Sequence, residues 1–132
     1  MRVDLLNLML ADAGLTALCS DRMSWFERPQ DGGTPAIVLH MISDVPSYTY
    51  QGEGSRKFNR VQCNLYAETD LEIVALATAF KSAVSGYRGI VGATNFKGIF
   101  IDGSREGVDP GKSDDEKLFV VSIDLRIHHK EI

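Results

Sequence analysis

The segment from Arg56 to Ser85 constrains the possible folds of this chain more than any other feature. Polar and apolar residues alternate along Phe58–Ala67, which is typical of a strand with one buried face. The spacing then changes, and apolar residues recur every three to four positions, as on one face of a helix. The segment therefore predicts a strand that leads directly into a helix, capped by Thr69 or Asp70 and ended by Gly86.

A first helix is predicted at the N-terminus, ending at Gly14, a residue that tolerates the left-handed conformation common at helix ends. Its predicted apolar face is Val3, Leu6, Met9, Leu10 and Ala13. Short runs of β-branched, aromatic or alternating residues predict further strands. These are Arg22–Glu27, Ala36–Ser43, Phe96–Ile101 and Leu118–His129. Ala36–Ser43 is mostly apolar, which favours a central place in the sheet.

Three stretches are predicted to connect these elements. Gln51–Ser55 contains two glycines between Tyr48–Tyr50 and Phe58–Tyr66, which indicates a long antiparallel hairpin with a solvent-exposed tip. Gly86–Gly92 is predicted to be a connector, and Asp102–Glu116 is predicted to be a long polar loop. Together the patterns predict a single α+β domain with two main helices packed on a mostly antiparallel or mixed sheet.

The composition limits the classes of function. With 132 residues, the chain is long enough for one domain with its own core. A net charge of −4 and a pI near 5.3 argue against a protein that grips the phosphates of nucleic acid. No apolar run approaches the roughly 20 residues of a membrane span, and polar residues interrupt the N-terminal leucines, so neither a span nor a secretion signal is predicted. Cys19 and Cys63 lie far apart, which favours reduced thiols in a cytosolic protein.

The isolated reactive residues predict structural roles. His128 and His129 are neighbours on a strand, so their side chains point to opposite faces and cannot chelate one ion together. His40 stands alone in an apolar strand, where a hydrogen-bonded structural imidazole is favoured over a general base. Cys63 shares a face with apolar residues and Cys19 has no marked context, so packing is favoured over nucleophilic chemistry. No catalytic residue, metal ligand or cofactor is predicted.

The acidic segment Asp102–Glu116 superficially resembles a calcium-binding loop. Its acidic residues lack the alternating spacing of an EF-hand, and two strands are predicted to flank it instead of two helices. The triplets Gly103-Ser104-Arg105 and Gly111-Lys112-Ser113 lack the spacing of a nucleotide-binding loop. A solvated or partner-binding loop is therefore predicted.

The order of these elements resembles that of the tail completion, or tail terminator, proteins of long-tailed bacteriophages, prophages and gene transfer agents. The resemblance covers essentially the whole chain, residues 1–132. The stretches that carry it are Leu10–Leu18 with Asp21-Arg22, Thr34–Val38, Arg60–Ala67, Leu71–Val84 and Val121–Ile127. Arg60–Ala67 is the most specific of them. These patterns are structural, and the family has no catalytic residues to carry over.

The resemblance implies a structural virion protein that is a monomer when free and a hexameric ring when assembled at the head-proximal end of the tail tube. Such a ring ends tube polymerisation and offers a surface for joining the tail to the head. The implied partners are further copies of the chain, the major tail tube protein and a neck or head-completion protein. DNA would pass through the ring without specific binding, no membrane would be involved, and assembly would take place in the host cytoplasm.

The hairpin tip and the polar segment Asp102–Glu116 are expected to contact neighbouring subunits or the tail tube, because long polar loops in compact domains are often functional. The expected contact residues are Tyr48, Tyr50, Glu53, Arg56, Lys57, Asp102, Arg105, Glu106, Asp109, Asp114 and Asp115. Trp25 and Phe26 are expected in the core rather than at an interface.

Three other hypotheses stay open on the sequence alone. A stopper or adaptor of the head–tail connector would share the ring and differ in the partner that it meets. A small enzyme that uses His40 or Cys63 would need a deep pocket with a polar cluster around one of them. A ligand-binding or regulatory module would need an apolar cavity in a monomer or dimer.

Overall fold

Three helices pack against a six-stranded, curled mixed sheet, which gives an α+β fold. The computed structural model describes residues 1–26, 33–50, 52–109 and 117–131, and at 46–49, 53–55, 109 and 131 it describes the backbone only. The helices are α1 (Arg2–Leu10), α2 (Ala13–Cys19) and α3 (Asp70–Val84). The strands are β1 (Met23–Trp25), β2 (Ala36–Thr49), β3 (Gly52–Ala67), β4 (Gly89–Val91), β5 (Thr94–Asp109) and β6 (Leu118–Glu131). The predicted fold class is confirmed.

The sheet has the strand order β1-β2-β3-β6-β5-β4. Only β1 and β2 run parallel, and every other neighbouring pair is antiparallel. β3 and β6 therefore form the centre. The expectation that Ala36–Ser43 lies centrally is wrong, because its strand has only the three residues of β1 on its outer side. Its apolar run reflects burial near that short parallel partner, where Ile37, Val38 and Leu39 are all buried.

The predicted strand-to-helix segment is confirmed in β3 and α3. Thr69 caps the helix, and its hydroxyl accepts a hydrogen bond of 3.2 Å from the backbone N–H of Glu72. Asp70 and Glu72 in the first turn lie beside the positive end of the helix dipole. The helix buries one apolar stripe against the sheet, consisting of Ile73, Leu76, Phe80 and Val84.

The N-terminal helix differs from its prediction. It ends at Leu10, and Asp12 begins a second helix by accepting a hydrogen bond of 3.0 Å from the backbone N–H of Leu15. Gly14 therefore lies inside α2 instead of ending α1. An aspartate in the capping position satisfies a free N–H group, and this local gain starts a new helix before the glycine is reached. The predicted face was also wrong at Val3, which is 69% exposed, because the buried residues of α1 are Leu5 and Met9.

The segment that begins at Asp102 is a strand rather than a loop up to Asp109. β5 continues through it and pairs with β6 as far as Leu118. This part of β5 is rich in polar residues and glycines, so it lacks the alternation of apolar residues by which a strand is recognised. Its conformation is set instead by the hydrogen bonds to β6. Residues 110–116 lie outside the described part of the chain. The predicted connector Gly86–Gly92 also contains a strand, the short β4.

The predicted β2–β3 hairpin is confirmed and reaches further than expected. The two strands pair from Ala36 with Tyr66 up to Thr49 with Gly52. Its tip extends beyond the point where β6 stops pairing with β3, at Arg56. The tip therefore projects from the sheet.

One face of the sheet and the helices enclose the core. Side chains at alternate positions of β3 and β6 are buried there, as the sequence predicts for both strands. Cys19 and Cys63 belong to this core and are free thiols, as expected. None of the described helices is long and apolar enough to cross a membrane.

Candidate interaction surfaces

The two cysteine thiols lie in environments that make them unreactive. Burial raises the pKa of the Cys19 thiol, and burial raises the pKa of the Cys63 thiol well above its ordinary value. Both sulfurs are therefore held in the protonated form, which is a poor nucleophile. In the described part of the chain, no three His, Cys, Asp or Glu side chains group together in a way that suits a metal ion.

The neighbouring histidines point to opposite faces, as their strand position predicts. His128 packs between two aromatic rings, with centroid distances of 4.6 Å to Phe58 and 5.6 Å to Phe100. His129 is only 3% exposed and its Nε2 contacts Oδ1 of the buried Asn59. The Asn59 amide in turn donates a 2.9 Å hydrogen bond to Asp44. These contacts are structural, since each polar group is used to hold a neighbouring strand in place.

Trp25 and Phe26 occupy different environments. Trp25 packs against the core, and its indole N–H donates a 3.1 Å hydrogen bond to the backbone oxygen of Arg2. Phe26 is 64% exposed, so the expectation that it lies in the core is wrong. The guanidinium of Arg2 lies 4.9 Å from the Trp25 ring and 4.8 Å from the Phe26 ring, and it covers both.

The face of the sheet away from the core, here called the open face, carries polar and charged side chains. Asp102 lies 3.3 Å from Arg60 and 3.8 Å from Arg126, and Arg105 lies 2.9 Å from Asp124. Two of the predicted contact residues, Asp102 and Arg105, are therefore held in ion pairs of their own chain. His40 is half-buried in β2.

Two long strands each keep half of an edge that no other described strand pairs with. β1 covers β2 only along Ile37–Leu39. β4 and two hydrogen bonds from the chain before it cover β5 only as far as Ile99. The remaining edges, 41–49 of β2 and 100–109 of β5, lie at opposite ends of the sheet, because the two strands run in opposite directions through the ladder. Such edges are ready to pair with another chain.

One end of the sheet carries a small cleft of about 240 Å³ that is lined by cations, here called the basic cleft. The cations are Arg56, Lys57, Arg88 and Lys97, with Phe58, His128 and His129 forming the rest of the lining. Arg56 and Lys57 were predicted contact residues, whereas Arg88 and Lys97 were missed. No local pattern could have revealed them, because only the strand order brings Arg88, just before β4, and Lys97 of β5 near Arg56 and Lys57 of β3, with β6 in between.

The other predicted contact residues are spread over the molecule. Tyr50 is fully exposed at the hairpin turn. Glu106 lies at the opposite end of the sheet from the hairpin, in a groove of about 510 Å³ between α3 and the β5–β6 pair. The side chains of Tyr48, Glu53 and Asp109 are not among those described, and Asp114 and Asp115 lie outside the described residues. The predicted residues whose side chains are described do not come together into one site.

Comparisons with known proteins agree with this fold. A family profile described as "Tail completion protein gp17" matches residues 3–130. A chain from the solved structure "Virion of native gene transfer agent (GTA) particle" superimposes with a TM-score of 0.75. The alignment covers 98% of this chain and 94% of that chain at 14% sequence identity, so it shows a shared fold. No curated protein sequence matches the chain. Because the family profile spans nearly the whole sequence, the chain belongs to the tail completion protein family of bacteriophages, as a structural component of a virion.

Proposed function

We propose that this protein forms a hexameric ring at the head-proximal end of the tail tube. The ring ends tube polymerisation and presents the surface to which the neck or head-completion protein binds. The partners are further copies of the chain, the major tail tube protein and the neck, and the free protein is a monomer in the host cytoplasm before it joins the tail. Membership of the tail completion family supports a role in the tail and speaks against an enzyme.

The observation that carries the ring is the pair of half-covered strand edges. One edge belongs to β2 and the other to β5, so they lie on the two opposite sides of the same sheet. A contact between two different sides of identical subunits is head-to-tail, and such contacts close into a ring when the rotation between copies permits it. Neighbouring copies would then cover edges that a free subunit leaves exposed.

The open face supports the passage of DNA without specific binding. Its arginines at Arg60, Arg105 and Arg126 lie beside the carboxylates of Asp102 and Asp124. Cations that are already paired have little to gain from DNA phosphates, because binding depends on cations that are free to neutralise them. The net charge of the chain, −4, acts in the same direction. We therefore place this face on the channel, where DNA slides past it.

The test is electron microscopy of particles assembled with and without the gene for this protein. We expect tubes without it to be overlong and free of heads, and expression of the wild-type protein in trans to restore both length and joining. Tubes of normal length that lack heads would assign the protein to the stopper or adaptor step of the connector instead. Normal particles in its absence would contradict both roles.

A second test addresses the edge contact. A proline at Glu106, in the uncovered half of β5, should block pairing along that edge because proline has no backbone N–H to donate. The side chain of Glu106 is exposed, so its replacement should not disturb the core. We expect Glu106→Pro to prevent ring formation on tubes and Glu106→Ala to leave it intact. Rings of normal appearance with the proline variant would show that the subunits meet elsewhere.

A further inference from the structure

The basic cleft concentrates positive charge in a protein whose net charge is negative. Four cations from three separate segments converge on about 240 Å³, and no carboxylate is among the described residues that line it. Arg88 and Lys97 are both exposed, so the cleft is open to a partner. An anionic group placed in the cleft would be attracted by cations from all three segments.

A surface of the opposite charge lies at the junction of β3 and α3, and we call it the acidic turn. It consists of Glu68-Thr69-Asp70-Leu71-Glu72, and all five residues are exposed. The Thr69 cap fixes the backbone of this turn, so its carboxylates are displayed in a defined arrangement before any partner binds. Leu71, the fourth residue of the acidic turn, is 84% exposed and offers apolar area to a partner.

The basic cleft and the acidic turn cannot neutralise each other within one subunit. Lys57 lies ten residues before Ala67, the last residue of β3, and ten residues of strand span about 33 Å. Charges separated by more than about 8 Å in solution are largely screened at physiological salt. The two surfaces therefore cannot be partners of each other within one subunit.

We propose that the basic cleft of one subunit binds the acidic turn of the next copy of this chain. The proposal rests on the self-association that the ring requires, and it specifies which surfaces meet. A second copy is favoured over duplex DNA, because DNA binding uses an extended row of cations along several phosphates, whereas this cleft has room for one or two carboxylates. The cleft and the turn are different patches of one chain, so the contact is head-to-tail.

The contact between the basic cleft and the acidic turn restricts how the sheets of neighbouring subunits can be arranged. Copies placed side by side in exact register would bring basic cleft beside basic cleft and acidic turn beside acidic turn. Pairing unlike surfaces requires neighbouring sheets to be tilted or shifted along the strand direction. The ring should therefore have strands that are inclined to its axis, which an electron microscopy reconstruction would reveal.

The test uses two charge-reversed variants of the full chain. The cleft variant is Arg88→Glu with Lys97→Glu, and the turn variant is Glu68→Lys with Glu72→Lys. All four side chains are exposed, so the fold should tolerate both variants. Because the free protein is proposed to be a monomer, association is measured on purified tail tubes, as the concentration at which half of the tubes carry a ring in electron micrographs at low salt. We expect each variant alone to associate at least about tenfold more weakly than the wild type, and an equimolar mixture to recover wild-type association.

The mixture is decisive because each variant repairs the defect of the other. Lys81→Glu with Arg60→Glu is the matched control, since it changes the net charge by the same amount at exposed sites outside the cleft and away from the uncovered strand edges. Variants that associate like the wild type, or a mixture that stays dissociated, would overturn the inference and leave the ring proposal standing. The role in tail completion is judged separately, by tail length.

Discussion

The two faces of the sheet differ in what completes them. The face toward the helices is finished within one chain: Cys63 and Leu125 from the central strands and Phe80 from α3 are all fully buried. The open face is exposed to solvent, and charged residues on it, such as Arg60 and Arg126, form exposed ion pairs. One face is therefore closed by apolar packing and the other by polar contacts.

The difference teaches where stability and assembly reside. Burial of apolar area stabilises a fold by roughly 25 cal/mol per Å², whereas an exposed ion pair contributes about 0–1 kcal/mol. The helix-covered face should therefore carry nearly all of the folding free energy. The open face, the strand edges and the charged ends are free to serve other chains. Mutations on the two sides should separate these roles.

The largest expected effect is the loss of the Phe80 ring from the core. Phe80 is fully buried in α3, and Phe80→Ala removes its contacts and leaves a cavity. We expect a loss of about 3–5 kcal/mol in the free energy of unfolding, measured by chemical denaturation. The control is Val74→Ala on the outer side of the same helix, where Val74 is 57% exposed and the loss should be within about 0.5 kcal/mol. Equal losses would remove the distinction between the two sides.

The next effect compares two asparagines on opposite faces of β3. Asn59 is 2% exposed and contacts both His129 and Asp44, whereas Asn64 is half-buried on the open face and accepts a 2.7 Å hydrogen bond from Ser122. Asn59→Ala removes a polar contact of the buried His129 and should cost about 1–3 kcal/mol. Asn64→Ala should cost less, since water can replace the lost contact. A larger loss at Asn64 would mean that the open face also holds the fold together.

Alkaline pH should lower the free energy of unfolding through Cys63, which is buried on the helix-covered face of the sheet. Burial raises the pKa of its thiol well above the ordinary value of 9.0, and the carboxylate of Asp124 acts in the same direction. The unfolded thiol loses its proton near pH 9 and the folded one does not. The contribution to stability is therefore complete below pH 9 and is lost as the pH rises toward the folded pKa, by up to about 1.4 kcal/mol per pH unit.

The measurement is the difference in unfolding free energy between the wild type and Cys63→Ala as a function of pH. The cavity in the variant lowers its stability at every pH, so only the slope above pH 9 is informative. We expect the wild type to lose stability more steeply there than the variant. Parallel curves would show that the thiol ionises equally well in the folded protein.

The helix-covered face of the sheet was the part of the fold that the sequence could predict. Val61, Cys63 and Leu65 alternate with polar residues in β3, and burial of every second residue is what creates that alternation. The helix after it was predicted for the same reason, since Ile73, Leu76 and Phe80 recur at a spacing of about one turn. Packing against the core leaves a periodic trace in the sequence.

The polar half of β5 and the basic cleft produce no periodic pattern in the sequence. Ser104, Arg105 and Glu106 form a strand because β6 pairs with them, and their side chains carry no period that would show it. Arg88 and Lys97 meet Lys57 only through the strand order, which the sequence does not display. Asp12 could have been recognised, because an aspartate three residues before Leu15 is a capping pattern that outweighs the glycine after it.

The smallest expected effect tests the open face itself. Arg105 is paired with Asp124 at 2.9 Å, and their side chains are 62% and 25% exposed. Because water and salt screen such a pair, Arg105→Ala should change the free energy of unfolding by no more than about 1 kcal/mol, and by less at high salt. Arg60→Ala, which removes the ion pair with Asp102, provides the matched comparison. A salt-independent loss above about 2 kcal/mol at either site would place folding energy on the open face, and the division of roles between the two faces would then be wrong.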